Sequence, residues 1–183
     1  MRRKIKFASA ILSLVASMAI LTFSVYAATA RTATISSTVS FSGDRINTNV
    51  EVSYIEPTSA AISTTSTFNK TVTPEAVTTA NKTYTIPGQT FSETAINFGI
   101  KIVLTNNFTG MKVNVAYTAP AAPTGTTVAA YKGTTAFTTA GSEDVNAGNS
   151  ITFVYVYTLQ NPTTAADFSG RAISIVFTLL RKA

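Results

Sequence analysis

Two absences limit the side chains that could do chemistry in this chain. Its 183 residues include no histidine and no cysteine. This excludes Ser-His-Asp and Cys-His catalysis, and also metal sites built on imidazole or thiolate ligands. Acid–base chemistry is left to lysine and to eight carboxylates. A glycosidase needs two carboxylates facing each other across a cleft. Because most of these acids are scattered singly, we expect no catalytic residue, no cofactor and no enzymatic activity.

Residues 143–149, with the sequence EDVNAGN, are the densest cluster of oxygen-bearing side chains. Calcium loops place oxygen ligands at alternate positions and end in a bidentate glutamate. Asp144 and Asn146 have this spacing and are weak calcium candidates. However, Gly148 occupies the third ligand position, and no glutamate follows it. We therefore favour a polar turn that leads into a strand at Ile151.

The aromatic residues offer a second kind of site, a binding surface. The chain has seven tyrosines and no tryptophan. Tyr155 and Tyr157 share one face of a predicted strand, with Tyr117 and Tyr131 nearby in sequence. Amphipathic tyrosines occur in binding surfaces and also in cores with the hydroxyl at the rim. We favour the core.

An N-terminal targeting segment precedes the residues that must position these side chains. Four cations, in Arg2–Lys4 and at Lys6, come before an uncharged apolar run that ends at Tyr26-Ala27. This order is typical of a secretory signal peptide. We predict a signal peptide at residues 1–27 with a helical apolar region, cleaved after Ala27, and a protein that is secreted or held at the extracellular surface.

The alternative is that this segment stays uncut. Residues 7–27 approach the roughly 20 residues that span a bilayer. An uncut segment would anchor the chain in the membrane through its N-terminus, with the cations on the cytoplasmic side. We expect membrane contact only through such an uncleaved segment.

The net positive charge of the chain comes mainly from this N-terminal segment. The formal net charge is +6, from 14 Lys and Arg against eight acids. Four of those cations lie in residues 1–27, which leaves ten against eight, or +2, for the rest. The remaining lysines are scattered, whereas nucleic-acid binding needs clustered cations. We therefore expect no nucleic-acid partner.

Residues 28–183 are predicted to form a single all-β domain, because Thr and Val favour strands and recur throughout. Alternating apolar residues predict strands at 33–42, 46–55, 95–104, 111–117, 151–159 and 173–180. Turn signals at 42–45 and 106–110 predict that the first four of these form two hairpins. Thr64–Phe68 and Thr83–Ile86 resemble short strands, and Pro87-Gly88 is typical of a turn.

The strand near residue 155 is apolar on both faces. Phe153 and Tyr155 alternate with Val154 and Val156, so neither face is polar. Such a strand is central in a covered sheet or is buried by a partner. Short strands at this spacing indicate a two-sheet antiparallel sandwich, immunoglobulin-like or jelly-roll.

Several segments resemble the small exported β-sandwich proteins of Gram-positive bacteria. These are the Thr/Ser strand after the signal (Ala28–Phe41), the Phe98–Asn107 strand ending in paired Asn, the turn Val145–Ser150 and the closing strand Ile173–Arg181. The layout is more distantly similar to the biofilm-fibre and camelysin group, which implies a jelly-roll matrix protein. The metalloprotease activity ascribed to that group does not carry over, because this chain has no histidine ligands.

These observations favour an exported, non-enzymatic surface or extracellular-matrix protein with a structural or adhesive role. Self-association would occur by strand addition, with the segment Ala28–Phe41 pairing with a neighbour's sheet edge. The alternative is a secreted binding module for a glycan or for a cell-wall or host ligand. Partners are thus a second copy of the chain or a component of the cell surface.

Overall fold

The computed structural model describes residues 33–43, 47–77, 81–160 and 172–182, and its regular structure is entirely β. No helix in these ranges is long and apolar enough to span a bilayer. The predicted signal peptide, its helix and the cleavage position Ala27 lie outside the described residues. The strands are β1 (Ala33–Gly43), β2 (Thr48–Thr58), β3 (Lys70–Val77), β4 (Lys82–Phe91), β5 (Asn97–Asn106), β6 (Lys112–Tyr117), β7 (Thr126–Lys132), β8 (Thr135–Phe137), β9 (Gly141–Val145), β10 (Ser150–Leu159) and β11 (Ala172–Lys182).

The strands form two sheets, as expected for a sandwich. The five-stranded sheet has the order β4-β1-β11-β6-β9, and the six-stranded sheet has the order β3-β2-β5-β10-β7-β8. The expectation of wholly antiparallel sheets is wrong at one place. The first and last strands, β1 and β11, pair in parallel from Ser36↔Ala172 to Gly43↔Leu179. Parallel neighbours are possible here because the two strands are far apart in sequence.

The core lies between the two sheets and draws on the inward residues of both. Phe41 of β1 stacks on Phe177 of β11, with ring centroids 5.2 Å apart. Phe177 in turn packs against Phe153 of β10, at 5.0 Å. All three rings are at most 2% exposed. This ring series joins the N-terminal strand to the facing sheet, and aromatic pairs at such distances add about 0.5–1.5 kcal/mol beyond burial.

Both predicted hairpins are wrong, although the strands themselves are present. β1 pairs with β4 and β11, whereas β2 pairs with β3 and β5 in the other sheet. β5 and β6 likewise belong to opposite sheets. A period of two shows which residues of a strand face the core, but it does not show which strand lies alongside. At both predicted hairpins, after β1 and after β5, the chain instead crosses to the other sheet.

Two short segments also differ from the prediction. Pro87-Gly88 lies within β4 as a bulge opposite Ile35–Ser37 of β1, and does not end the strand as a turn. Proline is tolerated there because β4 is an edge strand, where a missing donor costs no ladder hydrogen bond. Thr64–Phe68 is not a strand but part of the β2–β3 connection.

That connection, residues 59–69, is referred to below as the strap, and it lies on the outer face of the six-stranded sheet. A Cβ added at Gly99 of β5 would lie 3.0 Å from Ile62 Cγ2 and 3.1 Å from Phe68 Cε1. Val156 is the register partner of Gly99 and is 8% exposed. The second apolar face of β10 is therefore covered, at this point, by the same chain.

Candidate functional site

The calcium candidate Asp144 is bound to a lysine in the structure. It lies on the edge strand β9, where Oδ2 accepts a hydrogen bond from Lys182 Nζ at 2.5 Å and Oδ1 accepts one from Asn114 Nδ2 at 2.6 Å. Both hydrogen bonds lower the pKa of the Asp144 carboxyl, and the one from Lys182 has the larger effect. Asn146 lies in the following turn, where its backbone oxygen accepts a bond from Asn149 N at 3.0 Å. Within the described ranges, no three acidic, His or Cys side chains form a group suited to a metal ion.

Glu143, the acid next to Asp144, points to the other side of β9. Its carboxylate pairs with Lys132 of β7, and this bond raises the pKa of the lysine. Successive side chains of a strand point to opposite faces. The two adjacent acids therefore do not form a facing pair of the kind that glycosidase chemistry needs.

The tyrosines of β10 lie in the core. Tyr155 and Tyr157 are 2% and 1% exposed, and burial raises the pKa of both hydroxyls. Tyr117 packs against Phe153 with ring centroids 5.0 Å apart. Residues with so little exposed surface cannot form a ligand-binding face without rearrangement.

The sequence showed Asn106, at the end of β5, only as part of a paired-Asn strand end and gave no sign of its hydrogen-bond network. Its side chain is 1% exposed. Asn106 Nδ2 donates to the backbone oxygens of Met111 and Val145, both at 2.9 Å, and Oδ1 accepts from Phe108 N at 2.8 Å. The backbone of Asn106 also pairs with Gly148 and Asn149. The paired-Asn strand end and the turn Val145–Ser150, two of the segments that carried the resemblance, thus contact each other.

The element with the clearest functional geometry is β1. It lies between β4 and β11 and is hydrogen-bonded on both sides. Its inward residues Ile35, Val39 and Phe41 are at most 2% exposed. The segment that the sequence suggested as an exposed donor is therefore an interior strand of its own sheet from Ala33 onward.

Two residues affect how β1 packs in the sheet: one weakens its packing, and the other is required for it. Ser37 is fully buried on the inward face, and its hydroxyl has no hydrogen-bond partner among the described residues. At the other end, Gly43 has φ +116°, and a Cβ there would lie 2.2 Å from the backbone oxygen of Leu179. Glycine at position 43 is therefore required for β1 to lie against the end of β11.

No known family model matches the chain, and no curated protein matches it. Among solved structures, it is similar to a mutant of the major pilin from Streptococcus pyogenes, with 12% sequence identity and a TM-score of 0.29. The match covers 81% of this chain and 48% of the pilin, so the chain spans about half the length of that protein. A likeness this remote does not bear on function.

Proposed function

We propose that this chain is an exported, non-enzymatic structural protein of the cell surface or extracellular matrix, and that it self-associates by exchanging β1 between copies. The observation that carries the proposal is the position of β1. The first described strand of the chain supplies core residues, and both of its edges are paired within the sheet. Its withdrawal would leave a groove between β4 and β11, flanked by the inward residues Tyr84, Ile86, Ile175 and Phe177.

A second copy of the chain is the partner that fits this groove, because it carries the same strand. An exchanged β1 would restore the same two ladders and bury the same three apolar side chains. Exchange of an identical element is a low-cost route to assembly. When each copy donates to the next without closing a ring, the product is an open filament.

The buried serine of β1 supports exchange kinetically. An unpaired hydroxyl in an apolar core costs about 1–3 kcal/mol. Ser37 is such a group among the described residues, so the strand is held less tightly than its length suggests. The same cost applies in the exchanged state, so the serine lowers the barrier to withdrawal without favouring either product.

Export is part of the proposal and rests on the N-terminal sequence. Cleavage after Ala27 would leave five residues before Ala33, the first residue of β1. A cleaved chain would be free to donate its N-terminal strand outside the cell. An uncut chain would keep the same strand tethered to its own membrane.

A disulfide lock tests the exchange directly, since the chain has no cysteine of its own. Thr38 of β1 and Ser174 of β11 are register partners on the outward face. In the double variant Thr38→Cys and Ser174→Cys, oxidation of the monomer should abolish assembly, and reduction should restore it. Sedimentation velocity measures both states. Oxidation after assembly should instead give a covalent ladder on a non-reducing gel, because the two cysteines then belong to different copies.

A matched lock on strands that stay together is the control. Thr178 of β11 and Ala116 of β6 are also register partners. Thr178→Cys with Ala116→Cys should assemble whether oxidised or reduced, and should give no ladder. A wild-type chain that stays monomeric at high concentration would overturn self-association. Undiminished assembly of the oxidised Thr38/Ser174 lock would overturn the exchange of β1.

A further inference from the structure

A cleft of about 350 Å³ opens where β2 and β4 face each other near one edge of the sandwich. Each strand carries one extra residue at this point. β2 shifts register between Ile55 and Thr58, and β4 does so at Pro87-Gly88, opposite Ile35–Ser37. Bulges release backbone groups from the ladder and are frequent beside functional sites.

The floor of the cleft is fixed by a buried polar residue. Gln89 is 5% exposed, and its Nε2 donates to the backbone oxygen of Pro87 at 2.5 Å. This bond closes the β4 bulge on itself. Beside it lies Tyr54, 8% exposed, whose ring packs near Phe98. Two of the residues that line the cleft are therefore fixed by contacts within the fold.

The charges at the cleft favour an uncharged ligand. Among the described residues that line the cleft, Glu56 is the one carboxylate and none is a cation. Glu56 Oε1 lies 3.6 Å from Lys70 Nζ, so each of these two charges already has an opposite charge beside it. A single carboxylate is also too few oxygen ligands for a calcium ion.

We propose that this cleft binds a neutral saccharide, and that this activity is separate from strand exchange. The rings of Pro57, which is half-buried, and Pro87, which is exposed, offer apolar surface to the C–H face of a sugar ring. Glu56, Thr90 and the bulged backbone at Gly88 offer partners for sugar hydroxyls. The volume lies at the lower end of the range for small-molecule sites, which suits one or two sugar rings.

Titration of the ¹⁵N-labelled protein with cellobiose and with N,N′-diacetylchitobiose tests the proposal. Binding of either should shift the backbone amide signals of Tyr54, Gly88 and Thr90. Thr90→Val should weaken that binding about 3- to 10-fold, the effect of one lost hydrogen bond. Thr85→Val, an exposed threonine of the same strand outside the cleft, is the matched control and should leave binding unchanged.

The charge of the ligand is tested by salt. A neutral sugar keeps most of its affinity at high salt, because screening acts on charges, and loss of binding there would overturn the neutral ligand class. Glu56→Gln should weaken the binding of either sugar, because a hydrogen bond from a sugar hydroxyl to a carboxylate is stronger than one to an amide. No amide shift with either sugar, or shifts confined to another surface, would overturn the site. The oxidised Thr38/Ser174 lock should still bind the sugar, so failure of the cleft and failure of strand exchange are distinguishable.

Discussion

At the scale of single residues, Asn106 is the polar side chain on which stability depends most clearly. Replacement by alanine would leave Phe108 N, Met111 O and Val145 O without their side-chain partner, and of these three hydrogen bonds that to Val145 is buried and the other two are partly buried. Each unsatisfied buried group costs about 1–3 kcal/mol. Asn106→Ala should therefore lower the free energy of unfolding by about 3 kcal/mol or more, as measured by urea denaturation.

Its neighbour in sequence is the matched control for this prediction. Asn107 has an exposed side chain, and its backbone N–H donates a hydrogen bond to Asn47 O at 2.9 Å. Asn107→Ala should change stability by no more than about 0.5 kcal/mol, as is usual for surface positions. If the two variants were equally stable, the buried network would not hold these loops together.

The residues of the polar turn show what sequence reasoning could foresee at this scale. Asp144 and Asn146 were suggested by their oxygen atoms and spacing, and the structure places Asp144 against Lys182. Lys182 lies 38 positions away and reaches Asp144 only because β6 pairs with both β9 and β11. The network of Asn106 could not be predicted for the same reason, since its partners Phe108, Met111 and Val145 come from separate parts of the chain. The sequence therefore identifies the polar side chains, whereas their hydrogen-bond partners depend on the order of the strands in the sheets.

At the scale of elements, the strap is a cover whose contribution can be measured. Phe68 packs over Gly99, and Lys101 Nζ lies 5.9 Å from the centroid of its ring. Because Phe68 is only partly buried, Phe68→Ala should cost about 1–2 kcal/mol, less than a full core truncation. Hydrogen exchange should also accelerate in residues 59–69. Thr67→Ala, at the exposed neighbouring position, should do neither, and an equal effect of both variants would contradict the cover.

The strands themselves were predictable, but the strap and the sheet order were not. Period-two alternation indicated β5 and β11, whose inward residues are buried at every second position, whereas residues 153–157 of β10 are all buried. The strap has alternating side chains as well, yet it pairs with no strand, and only two of its residues are large and apolar. The two-faced apolar pattern of β10 correctly required a cover. It did not show whether that cover came from the same chain or from a partner.

At the scale of the whole molecule, the distribution of positive charge between residues 1–27 and the rest of the chain affects the repulsion between copies. The cations of residues 1–27 account for most of the formal charge, and the remainder has a net charge of +2. A net charge close to zero gives little repulsion between copies and favours association. If residues 1–27 are removed, as proposed, the remaining chain has little electrostatic barrier to contact between copies, which suits the proposed exchange of β1.

The rate of assembly should depend on how often β1 leaves its interior position in the folded monomer. Exchange requires β1 to leave two hydrogen-bonded neighbours first, so the rate-limiting event is a partial opening of the folded monomer. Urea below the unfolding midpoint makes such openings more frequent. Assembly of purified monomer, followed by light scattering at fixed concentration, should therefore accelerate with sub-denaturing urea. If the copies instead associated through apolar surfaces that are already exposed, urea would slow assembly, because urea solvates apolar groups. The oxidised Thr38/Ser174 lock should show no acceleration, and a wild-type rate that falls steadily with urea would rule out withdrawal of β1 as the first step.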